Sequence, residues 1–290
     1  MLHAEDPEIL QYLTSELRED GKTEVRYHPL SRPDFAEEAA VLRAIALARA
    51  TGVPLYIAHV SSRAGADAIR KYRGLGRSGG MAHIYGETCP HYFWFTAKRY
   101  EDENGRLFVM SPPLRSEDDV TGIWEALGED ALDVVSTDHC PFRLKDKTKD
   151  IPFYEAPNGI GSIGLLLYTV YSRGRVEGEN LKPLPINRIV ELLSSRPARL
   201  FGLAHRKGAI MPGYDADLVI FDPTPEWIFR SSYLPGGEDH SVYDGFKLKG
   251  RVDLVVSRGE IVARDGEVLA RPGRGRFVER FIPKETEQRS

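Results

Sequence analysis

Three segments of the sequence carry side chains that could bind a metal ion. The run "VVSTDHCPF" (134–142) places Asp138 just after two valines that favour a buried strand. His59 stands at the end of the strand-like run in "YIAHVSS", and His3 lies in "MLHAED". Imidazoles and a carboxylate suit Zn²⁺, with Mn²⁺, Fe²⁺ or Co²⁺ as alternatives. A bound ion lowers the pKa of water towards about 7, and a carboxylate can pass the proton to a leaving nitrogen, so these residues suit amide hydrolysis.

The order of helices and strands must bring these residues together. Strand-like runs cover 54–62, 81–90, 107–115 and 132–141, and apolar residues at helical spacing predict helices over about 34–50 and 118–127. Helices that alternate with strands predict an α/β fold with a parallel sheet or barrel. A lone histidine at a strand end is more often structural. Several such ends favour a shared site, because the C-terminal ends of barrel strands converge on one face. Glu87 and His91 in "GETCPHYF" belong to the same pattern.

The pattern changes after about Leu203. Short strand-like runs with Gly-centred turns replace the alternation, which predicts a small antiparallel β module from 204 to 290. "GEIVARDGEV" (259–268) is predicted to be a hairpin that turns at Asp265 and Gly266, because this pair accepts positive φ. The charged end "PKETEQRS" (283–290) is predicted to fray.

Composition excludes several classes of protein. The 290 residues are 28% charged, with a net charge of -4, and no Lys/Arg block suggests nucleic-acid binding. No apolar run is long enough for a membrane span and no signal segment is visible, so we expect a cytoplasmic protein with neither nucleic-acid nor membrane partners. The two cysteines are too few for a disulfide framework and are interpreted as packed thiols.

Eight motifs occur in an order that is similar to one known family. They are "LHAED", "SRP" (31–33), "YIAHVSS", "ETCPHYF", "SPPLR" (111–115), "STDHCPF", "PNGI" (157–160) and "KGAIMPGYDADLVIFDP" (207–223). This series resembles the dihydropyrimidinase and hydantoinase family, which are cyclic-amide hydrolases of the amidohydrolase superfamily. The segments "YDGFKLKGRVDLVVSRGEIV" and "GRGRFVERF" are similar to the family's C-terminal region.

The resemblance implies a role for each matching residue. His3 and His59 would hold one metal of a centre with two Zn²⁺ ions, and Asp138 would bind the other ion and act as general base or acid. Ser111 and Asn158 match positions whose backbone groups hold the ring amide of a small cyclic amide substrate. As residues of turns next to proline and glycine, they could equally be structural. His139, Cys140 and Arg115 are interpreted as a supporting group, a packing thiol and a loop anchor.

The resemblance also implies that part of the family's site is absent. Family members carry an HxH motif on the first barrel strand and a carbamylated lysine on the fourth, and the eight histidines here form no HxH. We therefore expect residues 1–203 to form the C-terminal part of a metal-dependent-hydrolase TIM-type (β/α)₈ barrel, followed by a small β-sandwich module. Open sheet edges predict a partner, either a separately encoded N-terminal half or a second copy in a homo-oligomer, unless the chain is a truncated product. The isolated chain is predicted to hydrolyse no cyclic amide at a useful rate.

Two other functions remain open. One is a dihydroorotase or allantoinase activity, which the choice of substrate would distinguish. The other is a catalytically silent homologue that acts as a binding or scaffold subunit. The retained His3, His59 and Asp138 argue against the silent homologue, and the missing HxH and lysine argue for it.

Overall fold

A computed structural model describes residues 1–76, 83–177, 181–234 and 238–281 of the chain. The helices are α1 (Pro7–Glu19), α2 (His28–Ser31), α3 (Asp34–Thr51), α4 (Arg63–Gly76), α5 (Pro90–Trp94), α6 (Glu117–Gly128), α7 (Leu144–Lys147), α8 (Leu166–Ser172), α9 (Ile186–Val190) and α10 (Arg196–Leu200). The strands are β1 (Leu55–Ile57), β2 (Ile84–Thr88), β3 (Val134–Val135), β4 (Leu218–Ile228), β5 (Lys247–Ser257), β6 (Glu260–Arg264) and β7 (Glu267–Val268). The chain divides into two compact units, Met1–Leu166 with Gly236–Asp244, and Leu167–Pro235 with Gly245–Ser290.

The first unit contains a parallel sheet in the order β1-β2-β3. Leu2 extends the sheet beyond β1 through a parallel bridge to Ile57. The N–H of Ala58 donates to the carbonyl of Leu2 at 3.0 Å, which fixes the register of the first residues against β1. Because all these segments run in the same direction, the residues that follow them lie at one edge of the sheet.

The long helices of this unit begin and end at residues that suit those positions. Asp6 caps α1 by accepting from the N–H of Ile9 at 3.1 Å. Ser116 and Asp119 form a reciprocal capping box at the start of α6. Helix α3 ends at Gly52, whose φ of 72° suits glycine in the left-handed region. The predicted helices over 34–50 and 118–127 are therefore confirmed within a residue or two at each end.

The core of the first unit lies between the helices and the parallel sheet. Helices α3 and α4 pack together, and α4 also packs against α6 and β2. Ile45, Ile69 and Ile123 have 1%, 0% and 0% of their surface exposed, and burial of each isoleucine contributes about 1.5–3 kcal/mol. At Gly86 in β2 an added Cβ would lie 2.7 Å from Leu132, so only glycine lets the sheet be covered this closely.

The second unit contains a four-stranded antiparallel sheet in the order β4-β5-β6-β7. Strands β4 and β5 are 11 residues long, longer than the short strands predicted. The hairpin over 259–268 is confirmed, with Ala263 opposite Val268, and with φ of 50° at Asp265 and 85° at Gly266. The change of fold predicted near residue 203 stays a prediction.

One predicted strand is wrong. Residues 107–115 contain the end of a 3₁₀ helix, Gly105–Phe108, followed by a bend and irregular chain that pairs with none of the described strands. The carbonyls of Val109 and Met110 accept instead from buried side chains of Lys147 and His28, so the segment is fixed without a ladder. The predicted frayed end, 283–290, lies outside the described residues. Within the described chain no helix combines the length and apolar character that a membrane crossing requires.

Candidate active site

His3, His59 and Asp138 follow segments of one parallel sheet, in which β2 lies between β1 and β3. His3 comes after the bridge at Leu2, His59 lies two residues beyond β1, and Asp138 lies three beyond β3. His59 and Asp138 both have left-handed backbones, with φ of 40° and 43°. Such a conformation costs a non-glycine residue about 1–2 kcal/mol. Strain of this kind clusters at functional positions, which makes this edge of the sheet the candidate site.

The imidazoles of His3 and His59 point at each other. The Nδ1 of His3 lies 3.0 Å from the Nε2 of His59, and the rings are inclined by 66°. The Nε2 of His3 faces Glu5, with 3.0 Å to its Oε2. Glu5 therefore orients one ring of the pair, in the way that carboxylates commonly orient metal-binding histidines.

The charge of Glu5 is stabilised although its side chain is buried. Burial by itself raises the pKa of Glu5, but the hydrogen bond from His3 and the charge and hydrogen bonds of Arg32 outweigh it, with help from the charge of Arg115, and lower the pKa to about 2. Burial also lowers the pKa of His59, and the charge of His3 adds to this effect, whereas Asp138 opposes it. A neutral His59 keeps a nitrogen lone pair available, which is the form that binds metals.

The histidine pair fits two positions of a divalent-metal site. Two nitrogens bound tetrahedrally to one Zn²⁺ at the usual bond length would lie about 3.3 Å apart, close to the separation of the pair. Across the part of the chain that the structure describes, however, no group of three or more His, Cys, Asp or Glu side chains is arranged to hold an ion. The histidine pair therefore offers at most two of the ligands that a divalent metal requires.

A cavity of about 220 Å³ lies beside this pair. It is lined by His59, His91, Met110, Ser111, Asp138, Cys140, Asn158, Gly159 and Ile160. His59 and Asp138 thus face one cavity, which confirms that part of the predicted geometry. His3 touches His59 and is not in the lining. The cavity brings both predicted substrate-binding residues, Ser111 and Asn158, next to the candidate general base.

Ser111 and Asn158 are joined to each other. The hydroxyl of Ser111 donates to Oδ1 of Asn158 at 2.7 Å, and Nδ2 of Asn158 donates to the carbonyl of Ala156 at 2.8 Å. The segments that carry them are also linked through the backbone, since the N–H of Gly159 donates to the carbonyl of Val109 at 3.0 Å. The segments that carry Ser111 and Asn158 are therefore hydrogen-bonded to each other and together form one side of the cavity.

Lys147 and His28 hold these segments through hydrogen bonds to backbone carbonyls, and the sequence analysis predicted neither residue. The Nζ of Lys147 donates to the carbonyls of Val109, Pro157 and Gly159 at 2.8, 2.9 and 3.0 Å. His28 donates from Nε2 to the carbonyl of Met110 at 2.8 Å. Burial lowers the pKa of Lys147 to about 7 and that of His28 to about 4. The sequence offers no signal for Lys147, which lies in a charged stretch that resembles a solvated surface.

Three other residues of the motifs have structural partners. The Nδ1 of His139 accepts from the N–H groups of Ser162 and Ile163 at 3.1 Å each. Arg115 is buried and donates to the hydroxyl of Ser61 at 3.0 Å and to the carbonyl of Arg32. Glu87 accepts from the hydroxyl of Tyr56 at 2.6 Å. His139 and Arg115 therefore fix loops around the site.

The two cysteines differ in their surroundings. Cys89 is buried, and burial raises the pKa of its thiol. Cys140 lines the cavity, with its Sγ 3.8 Å from the carbonyl of Asn158.

The chain is similar to known proteins over most of its length. A profile of the Amidohydrolase family matches residues 14–262. D-phenylhydantoinases of Escherichia coli O1:K1 and O127:H6 are 36% identical over 287 residues, which is 97% of this chain and 60% of each relative. The chain thus spans about three fifths of the length of these curated relatives.

The chain is also similar in fold to solved structures of hydantoinases and a dihydropyrimidinase. The D-hydantoinase of Bacillus sp. AR9 is 34% identical with a TM-score of 0.89, and the match covers 98% of this chain and 61% of that one. The dihydropyrimidinase of Brevibacillus agri NCHU1002 is 34% identical with a TM-score of 0.89 over 97% of this chain and 60% of that one. The L-hydantoinase of Arthrobacter aurescens is 29% identical with a TM-score of 0.82 over 92% and 57%.

Proposed function

The chain belongs to the amidohydrolase family, and we propose that it contributes a metal-binding half-site and a substrate cavity to a hydrolase of small cyclic amides, such as hydantoins or dihydropyrimidines. The observation that carries this proposal is the pair of facing nitrogens on His3 and His59, beside a cavity that also contains Asp138. Relatives of similar sequence and fold are named as hydantoinases and as a dihydropyrimidinase, which supports this class of substrate.

The family is metal-dependent, and we propose Zn²⁺ as the ion, with two ions in a complete site. His3 and His59 would hold one ion and Asp138 would bind the other. A bound Zn²⁺ would supply a water whose pKa is lowered towards about 7, and so a hydroxide at neutral pH. The remaining ligands would come from residues beyond the described part of this chain.

Within the reaction, we assign Asp138 the movement of the proton. Its carboxylate would accept a proton from the attacking water and deliver it to the ring nitrogen as the C–N bond breaks and the C–O bond forms. The backbone groups of Ser111 and Asn158 would hold the ring amide, since hydrogen bonds from Lys147 and His28 keep their segments fixed. Fixing the substrate before the reaction removes part of the entropic barrier.

We further propose how the chain is organised. Residues 1–203 would form part of a (β/α)₈ barrel, and residues 204–290 a small β-sandwich module. A complete site would require the HxH and lysine region, supplied by an N-terminal half or by a second copy of the chain unless the sequence is a truncated product, and the assembly would work in the cytoplasm.

The proposal is tested by ring opening of dihydrouracil and hydantoin. The purified chain with Zn²⁺ or Mn²⁺ should be inactive alone, and should become active with a polypeptide that supplies the HxH and lysine region of a relative. Asp138→Ala should abolish this activity. Turnover of dihydroorotate or allantoin instead would indicate the related activities. Robust turnover by the chain alone would show that it builds a complete site and would refute the need for a partner.

A second candidate is a catalytically silent subunit. One observation favours it, since the described residues bring together no three metal-binding side chains. This candidate predicts that the complemented assembly, with its metal content measured on the same sample, opens none of the four rings.

A further inference from the structure

His91 is a buried histidine with no hydrogen bond to any residue that the structure describes. It lies on α5, just after β2, and only 1% of its surface is exposed. Neither Nδ1 nor Nε2 has a hydrogen-bond partner among the described residues. Its ring contacts that of Tyr92 edge to face, with 4.3 Å between the ring centres. His28 provides a contrast, because it is equally buried and donates to the carbonyl of Met110.

An imidazole in this state is unfavourable for the fold alone. Folded proteins bond nearly all their buried polar groups, and each exception requires an explanation. Burial, together with the nearby His59, lowers the pKa of His91 to about 3, so the ring is neutral near pH 7. A neutral ring has one N–H donor and one acceptor.

The position of His91 offers an explanation. His91 lines the same cavity as Ser111, Asp138 and Asn158. The side chain of His91 thus borders the space that a ligand would fill, and its two buried nitrogens have no hydrogen bond to a described residue.

Resting on the proposed function, we infer that His91 is a substrate-contacting residue that hydrogen-bonds the amide of a cyclic amide. Its N–H donates to a ring carbonyl oxygen, while Ser111 and Asn158, which line the same cavity, hold the ring from their own segments.

The test compares His91→Leu with the matched control His28→Leu in the full chain. Each variant's thermal midpoint is measured without ligand, and the binding of hydantoin and dihydrouracil is measured by calorimetry after complementation with the polypeptide that supplies the HxH and lysine region. His91→Leu should keep or raise the midpoint, because it removes an unbonded polar group, whereas His28→Leu should lower it by several degrees, because a carbonyl loses its donor. His91→Leu should weaken hydantoin binding about 3- to 10-fold, the equivalent of one hydrogen bond. His91→Gln, which keeps a donor, should restore most of the affinity.

The outcomes separate the two proposals. A midpoint that falls in His91→Leu as far as in His28→Leu would mean that His91 is structural. Unchanged hydantoin binding in His91→Leu would overturn the role of His91 and leave the proposed function standing. A complemented wild-type assembly that binds neither hydantoin nor dihydrouracil would overturn the cyclic-amide ligand, and so both proposals.

Discussion

Glu37 holds the loop that carries His59, and its removal should destabilise the first unit. Only 1% of its surface is exposed, although it is a carboxylate on α3. It accepts from the backbone N–H groups of Ser61 and Ser62 at 3.1 and 2.9 Å, and from both of their hydroxyls. These two serines immediately precede α4, so one carboxylate fixes both the loop and the start of that helix.

The expected loss follows from the groups left without a partner. In Glu37→Ala each hydroxyl loses the acceptor of its proton but can rotate towards another acceptor, and the oxygens of Ser61 and Ser62 keep their donors, Arg115 and the N–H of Gly65. The two backbone N–H groups cannot turn. Each buried donor without an acceptor costs about 1–3 kcal/mol, so the free energy of unfolding should fall by about 2–6 kcal/mol. Glu37→Gln should lie between the wild type and Glu37→Ala, because its amide keeps one acceptor oxygen.

The assay is urea unfolding combined with amide hydrogen exchange. Glu38→Ala, the next residue on the same helix, is the control and should change the free energy of unfolding by less than about 0.5 kcal/mol. The amides of Ser61 and Ser62 should exchange much faster in Glu37→Ala under native conditions. A loss below about 1 kcal/mol, with exchange at both serines unchanged, would refute the argument that this carboxylate organises the loop.

Three further predictions concern other parts of the chain. Burial lowers the pKa of Lys147 to about 7, so the unfolded chain binds more protons above that pH. Stability should then rise from about pH 7 to 10, and Lys147→Met should remove that rise in urea midpoints measured across this range. Gly250→Ala should cost about 2–5 kcal/mol in thermal unfolding, because a Cβ would overlap the ring of Phe221. Gly259→Ala, with open space around it, should cost only about 1–2 kcal/mol. Glu5→Gln should weaken Zn²⁺ binding about 10- to 100-fold in equilibrium dialysis, whereas the exposed His83→Ala should not.

Local signals in the sequence were sufficient for the features that depend on neighbouring residues. The helix over Asp34–Thr51 follows from apolar spacing and its terminal glycine, and the hairpin follows from Asp265 and Gly266. The positions of His59 and Asp138 beyond strand ends followed from β-rich runs interrupted by polar residues. These features can be predicted from the spacing of apolar residues and from the residue types that form turns.

Contacts between distant segments could not be predicted in this way. Lys147 is 38 residues from Val109, whose carbonyl it binds. Glu37 is 24 residues from Ser61. The segment 107–115 was predicted as a strand because its apolar content suits one, and only the buried donors that bind its carbonyls explain why it is not. Whether a charged residue is buried depends on how distant helices, strands and loops pack around it. The residues next to it in the sequence do not specify that packing.

The strain at His59 explains why so many polar contacts surround it. A left-handed histidine, at a cost of about 1–2 kcal/mol, persists only where its surroundings hold it. The next residue, Val60, donates its N–H to the carbonyl of Glu87 at 2.7 Å, and its own carbonyl accepts from the hydroxyl of Thr88 at 2.7 Å. Glu37 then fixes the residues that follow. The backbone of His59 is thus held by β2 on one side and by α3 on the other, and this keeps its ring directed at His3. Without these hydrogen bonds, the backbone of His59 would leave its strained left-handed conformation for a more stable one. A substitution that weakens the bonds from β2 or from Glu37 should therefore reduce metal binding before it unfolds the unit.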